Sequence, residues 1–113
     1  MRFFTLAEFN CQYTGENKMN PVFLEKLDKL REACGFPFVI TSGYRSADHP
    51  IEAAKDAPGT HCQGIAADIA LSSSAQRYTL INYALQHGFT GIGVASDFIH
   101  VDTRGTVPVI WTY

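Results

Sequence analysis

The stretch at 64–71, GIAADIAL, sets one carboxylate inside an otherwise apolar, strand-forming run. Side chains alternate along a strand, so Ala66, Asp68 and Ala70 share one face and Ile65, Ala67, Ile69 and Leu71 the other. The second face has to lie on a core. The first carries a charge that is costly to bury alone. The fold must therefore bring a cation to Asp68, either a side chain such as Arg45 or a metal ion. The flanking alanines leave the space that a pocket needs.

Two other segments bear on that choice. His61 lies just before the strand, as His61-x6-Asp68, and a second apolar run carries Asp97-x2-His100-x-Asp102. Alternation sets His100 between Ile99 and Val101 and on one face with Phe98 and Asp102. If the two strands pair, His100 faces Asp68. Two histidines and one carboxylate suit catalytic zinc, which takes three protein ligands and leaves a fourth position for water. A single histidine in an apolar strand also reads as a satisfied core residue, and Arg45 can neutralise Asp68 with no metal. Spacing leaves both readings open.

The neighbouring residues have two readings each. Zinc lowers the pKa of bound water to about 7, and a carboxylate beside it can pass the proton to a leaving amine. Asp97, three residues before His100, can fill that role, or it can be a turn residue in Ser96-Asp97. Asp102 can orient His100 from behind, or pair with Arg104. Arg45, in SGYRS at 42–46, suits an oxyanion or a substrate carboxylate, or ties down the loop that follows. His49 and His87 read as bystanders, the latter favourable at a helix C-terminus. Tyr44, Tyr83, Trp111 and Tyr113 fit a groove or a core equally well.

A helix is expected over 21–34, with Asn20 as N-cap, Pro21 in the first turn and Gly35 as the stop. Its apolar face is Phe23, Leu27, Leu30 and Cys34. Strands are expected at 38–42, 64–71, 91–95 and 98–103, the last two forming a hairpin around Ser96 and Asp97. A second helix runs from Ser73 or Ser74 to about His87, with Tyr78, Ile81 and Leu85 along one apolar face. Residues 43–60 form a long loop, of the kind that is often functional. Residues 107–111 add an edge strand, since Pro108 bars a central one. This order favours a single α+β domain over 1–113, with a central antiparallel sheet and flanking helices.

The 113 residues suffice for one modest core. Nine basic against eleven acidic residues give a net charge of −2, which argues against nucleic acid as a partner. No apolar run reaches the roughly 20 residues of a membrane span. The first ten residues, MRFFTLAEFN, show no signal peptide. The chain is expected to be cytoplasmic as synthesised and to act elsewhere only after release. Cys11, Cys34 and Cys62 are odd in number and lack CxxC spacing, so free thiols are expected.

SGYRS at 42–46, H-x2-G-x-A-x-D at 61–68 and FIHVD at 98–102 together resemble the zinc DD-/LD-peptidase family. FTLAEFNC at 4–11, LREACGFP at 30–37 and HVDTRG at 100–105 are similar to its small single-domain branch. The family includes D-alanyl-D-alanine carboxypeptidases, D-Ala-D-Ala dipeptidases and phage endolysins that cut the L-Ala–D-Glu bond. The resemblance implies an α+β, hedgehog/DD-peptidase-like fold, zinc on His61, Asp68 and His100, and Asp97 as general base and acid. It makes Arg45 the residue that polarises the scissile carbonyl or holds substrate, with Ser42 and Thr60 as further substrate contacts. The family often has serine where this chain has Gly59, and Thr60 is the nearest replacement hydroxyl.

The expected activity is hydrolysis of peptidoglycan stem peptides by a monomer, as an L-Ala–D-Glu endopeptidase of phage type. A D-Ala-D-Ala carboxypeptidase is the alternative within the family. A non-catalytic zinc-binding module, as in the hedgehog signalling domain, is the alternative outside it.

Overall fold

The computed structural model describes residues 1–113. A 3₁₀ turn at Leu6–Phe9 leads to α1, Pro21–Cys34. Asn20 caps α1, its side chain accepting from the N–H groups of Val22 at 2.8 Å and Phe23 at 3.2 Å. Gly35, in the left-handed conformation, ends the helix. There follow β1 (Val39–Ser42), α2 (Pro50–Ala53), β2 (Ala66–Ala70), α3 (Ser74–Gln86), β3 (Gly91–Val94), β4 (Phe98–Asp102) and β5 (Val109–Thr112). None of the helices is long and apolar enough to cross a membrane.

The five strands form one sheet in the order β1-β2-β4-β3-β5. The first three pairings are antiparallel, whereas β5 runs parallel to β3. The fold is thus α+β with a mostly antiparallel sheet, and the purely antiparallel expectation fails only at the edge. Pro108 stands just before β5, where it has no ladder bond to supply.

The sheet has two unlike faces. Ala67 and Ile69 of β2, Ile92 of β3, and Ile99 and Val101 of β4 enter the core with Phe23, Leu27 and Leu30 of α1 and Leu80 and Ala84 of α3. The opposite face carries Ala66, Asp68, His100 and Asp102, all buried. Pairing of Asp68 with His100 sets the polar residues on two adjacent strands, with Gly93 of β3 beside His100. Small residues make this possible. A Cβ on Gly91 would collide with the Asp102 carboxylate.

Three expectations about helices change. On α3, Tyr78 is 76% and Leu85 54% exposed, while Leu80 and Ala84 are buried. Ser73 fixes the start of the helix by accepting from Gln76 N–H at 3.1 Å. Contact with α1 then selects the Leu80–Ala84 side. On α1, Leu24 is buried and Cys34 only partly so. Finally, the 43–60 loop holds a helix, α2. His49 caps it, Nδ1 accepting from Ile51 N–H at 3.1 Å, and Pro50 occupies its first turn.

Candidate metal centre

His61, Asp68 and His100 converge on the polar face of the sheet, all three buried. β2 and β4 supply Asp68 and His100 through their register. His61 comes from the turn before β2, where its carbonyl also accepts from the Arg45 N–H at 3.3 Å. His61 Nε2 is 3.2 Å from Asp68 Oδ1 and 3.2 Å from His100 Nδ1, and His100 Nδ1 is 3.1 Å from Asp68 Oδ1. Ligand atoms bound to tetrahedral zinc at about 2.0–2.1 Å lie about 3.3 Å apart, so the three atoms have the spacing of one tetrahedral face.

The hydrogen bonds on the far side of each ring fix the tautomers. His61 Nδ1 lies 2.8 Å from the Gly43 carbonyl, which can only accept, so Nδ1 carries the proton. His100 Nε2 lies 2.7 Å from Asp102 Oδ2 and donates to it. In its neutral form each ring therefore turns a bare lone pair toward the Asp68 oxygen. Three electron-rich atoms at contact distance need a positive centre among them, a proton or a metal ion. A His₂-carboxylate set with its outer nitrogens already hydrogen-bonded fits zinc.

The charges follow from this geometry. Burial opposes ionisation of Asp68, but hydrogen bonds from His100 and His61 outweigh it and hold the carboxyl below the usual carboxylate range. Burial likewise opposes charge on His100, and hydrogen bonds to Asp102 and Asp68 prevail, raising its pKa. Asp102 is lowered, burial being outweighed by hydrogen bonds from His100 and Arg104. Metal-free protein therefore gains stability from His100 below its unfolded pKa of about 6.5, and loses it as pH rises through the higher folded value. Asp68 and Asp102 contribute above about 4, and lose that contribution as pH falls through their still lower folded values. Metal-free stability is expected to peak between about pH 4 and 6.5. Zinc requires neutral histidines and the His100 pKa is raised, so the stabilisation it adds is larger at about pH 8 than at about pH 6. Melting curves with chelator and with zinc at both pH values check this. A larger zinc shift at the acid end contradicts it.

Asp102 contacts both His100 and Arg104. Completely buried, it accepts from His100 and is gripped by Arg104, with Nη2–Oδ2 at 2.6 Å and Nε–Oδ1 at 3.0 Å. Arg104 in turn lies over the Trp111 ring, 4.9 Å from its centroid. The Trp111 ring centroid is 5.1 Å from that of His100.

The triad opens into a cleft of about 630 Å³. Phe98, Trp111 and Tyr113 contribute apolar wall, and Arg45, Lys55 and Arg104 contribute positive charge. Thr60 is also on the wall. Arg45 reaches toward the triad, Nη2 lying 3.6 Å from Asp68 Oδ2. Ser42 pairs with Asp68 across β1 and β2 but is not among the cleft-lining residues. Tyr44 is buried in the core and Tyr83 packs against it, so neither flanks the groove.

Asp97 is not brought to the triad. Its exposed side chain stands in the β3–β4 turn, outside the cleft wall, and its carbonyl accepts from Leu71 N–H at 3.0 Å. The physical reason is strand parity. Phe98 and His100 share the cleft face, and a residue three positions before His100 falls on the other side unless the turn returns it. The residue that sequence reasoning missed is Glu52, buried in α2 beside Arg45. The visible signal was His49-Pro50, a cap followed by a first-turn proline, inside what read as plain loop.

The peptidase M15 family model matches residues 2–102. The chain belongs to the peptidase M15 family. Members are metallopeptidases, and the match spans all three candidate ligands and Arg45. A search of curated proteins finds no match.

Proposed function

We propose that this M15 peptidase is a zinc enzyme that hydrolyses peptidoglycan stem peptides, as an L-Ala–D-Glu endopeptidase of the endolysin type. The observation that carries the zinc reading is the triad itself: three ligand atoms at tetrahedral spacing, with both histidine tautomers set to present lone pairs. His61, Asp68 and His100 would hold the ion. Zinc supplies Lewis acidity there, acidifying water and polarising a carbonyl. Arg45 has a guanidinium free to donate to the carbonyl oxygen as charge develops. Asp102 keeps the lone pair of His100 aimed inward. The apolar wall holds the peptide, while Arg45, Lys55 and Thr60 offer donors to carboxylates of the stem. The cleft is broad enough for a peptide, and we expect a monomer to suffice.

Two other readings remain as outcomes of the test. A D-Ala-D-Ala carboxypeptidase would use the same groups at the end of the stem. A zinc-binding module without activity would be favoured by a fourth protein ligand. His49 is engaged in capping α2, and Cys62 is not part of the cluster, which supports the catalytic reading.

The test is digestion of purified muropeptides with and without chelator, read by mass spectrometry. Release of stem fragments beginning at D-Glu supports the endopeptidase, and loss of a terminal alanine assigns the carboxypeptidase. Digestion that chelator leaves unchanged rejects the zinc mechanism. In the same assay Asp97→Asn is expected to keep activity within about threefold, as an exposed residue off the cleft face. A loss of 10²-fold or more, the scale of general acid–base catalysis, would make Asp97 the proton carrier after all.

A further inference from the structure

Outside the triad and Asp102, one carboxylate is buried near the cleft. The side chain of Glu52 is 1% exposed. Burying it requires partners, and it has three. Oε1 accepts from Gly59 N–H at 2.9 Å. Oε2 accepts from Lys55 Nζ at 2.7 Å and faces Arg45 Nη1 at 3.9 Å. These bonds close the end of α2 onto the 58–60 segment that leads into His61. They also fill the space over Gly59: a Cβ there would lie 2.5 Å from the Lys55 amine and 3.1 Å from Glu52 Oε1. The space that a side chain at position 59 would take is thus held by the anchored Lys55 amine.

Arg45 stands between two carboxylates. One amine is 3.9 Å from Glu52 and the other 3.6 Å from Asp68, both beyond hydrogen-bond length. Charge alone holds it there, and neither acid captures it. Asp68 meanwhile aims Oδ1 at the two histidines and leaves only Oδ2 toward Arg45. An arginine facing Asp68 with no second anion would close on Oδ2 as a charge-assisted hydrogen bond. That pair would compete with a metal ion for the carboxylate.

We propose that Glu52 is a positioning residue that draws Arg45 away from Asp68, leaving Asp68 free to ligate metal and the Arg45 guanidinium free to face substrate. The proposal rests on the zinc peptidase reading for its catalytic half, and its metal half can be measured without activity. Removing the Glu52 charge should let Arg45 settle on Asp68. Any weakening of the site should then depend on Arg45 being present.

The experiment is a Zn²⁺ titration against a competing chelating dye. It uses the full chain as wild type, Glu52→Gln, Arg45→Ala and the double variant. Gln keeps an amide oxygen for the Gly59 N–H. We expect Glu52→Gln to weaken Zn²⁺ binding about tenfold, and less than about twofold when Arg45 is already alanine, a coupling of ordinary size for residues in contact. Equal weakening in both backgrounds would mean a general field effect and overturn the proposal. So would no weakening in either. Should Glu52→Gln not fold, the zinc-loaded wild-type crystal structure decides. Arg45 within about 4 Å of Glu52 supports the proposal, and Arg45 turned away from it overturns it. If wild type binds Zn²⁺ but leaves stem peptides uncut, the peptidase reading fails while the titration still judges Glu52. With active wild type, Glu52→Gln should lower kcat more than it raises KM, since Arg45 is lost to the reacting carbonyl.

Discussion

Replacing Asp68 with alanine is expected to abolish metal retention and lower hydrolysis by more than about 10³-fold. Asp68 is the one anionic ligand, paired across the sheet with His100 and within 3.2 Å of both histidine nitrogens. Without it, two neutral imidazoles and water remain, a weak site for zinc. Lewis-acid stabilisation worth several kcal/mol disappears with the ion, and each 1.36 kcal/mol is tenfold in rate. The fold should survive, since the core face of β2 is formed by Ala67 and Ile69, not by Asp68. Metal analysis, muropeptide digestion and circular dichroism on the same preparation make the check. A folded Asp68→Ala protein that cuts stem peptides at the wild-type rate would sink the metallopeptidase mechanism.

The second large effect is expected at Asp102, which touches no cleft surface. Its carboxylate accepts the His100 Nε2 proton and holds Arg104. Asp102→Ala removes the partner that fixes the His100 tautomer. Losing such a partner costs about 10–100-fold in metal affinity. It also leaves Arg104 without its anion. Breaking a buried pair costs about 3–5 kcal/mol, and the lower figure applies because Arg104 is partly exposed and can reach water. The melting temperature should fall by roughly 10 °C. Asp102→Asn separates the two contributions. Its amide oxygen can still accept from Nε2, so zinc affinity should recover more than stability does. Equal zinc affinity in the wild type and Asp102→Ala would show that Asp102 serves the fold alone.

Much of the sheet was legible because its two faces differ so sharply. Alternation in β2 and β4 placed Asp68 and His100 on one side, and the structure has them there. The α1 boundaries were legible because Asn20, Pro21 and Gly35 act through local backbone chemistry. The inner face of α3 was not, because Tyr78, Ile81 and Leu85 form as good an apolar stripe as Leu80 and Ala84. Contact with α1 chose between them, and periodicity carries no information about the partner. Asp97 shows the same limit at a turn. Its position before His100 suited a base, but the direction of a turn side chain depends on the loop.

By itself the sequence determined the α1 caps, the strand parity and the edge position of β5. These are set by properties that act over a few residues: alternation, capping, and the missing N–H of proline. Only the tertiary structure decided how the outer nitrogens of His61 and His100 are held, that Asp97 is exposed and outside the cleft wall, and that Glu52 stands behind Arg45. Glu52 reaches Arg45 across a loop and α2, and Asp102 reaches Trp111 only through Arg104. Such contacts join residues that no local pattern links, and they exist only once the core has fixed the strands and the loop has closed over them.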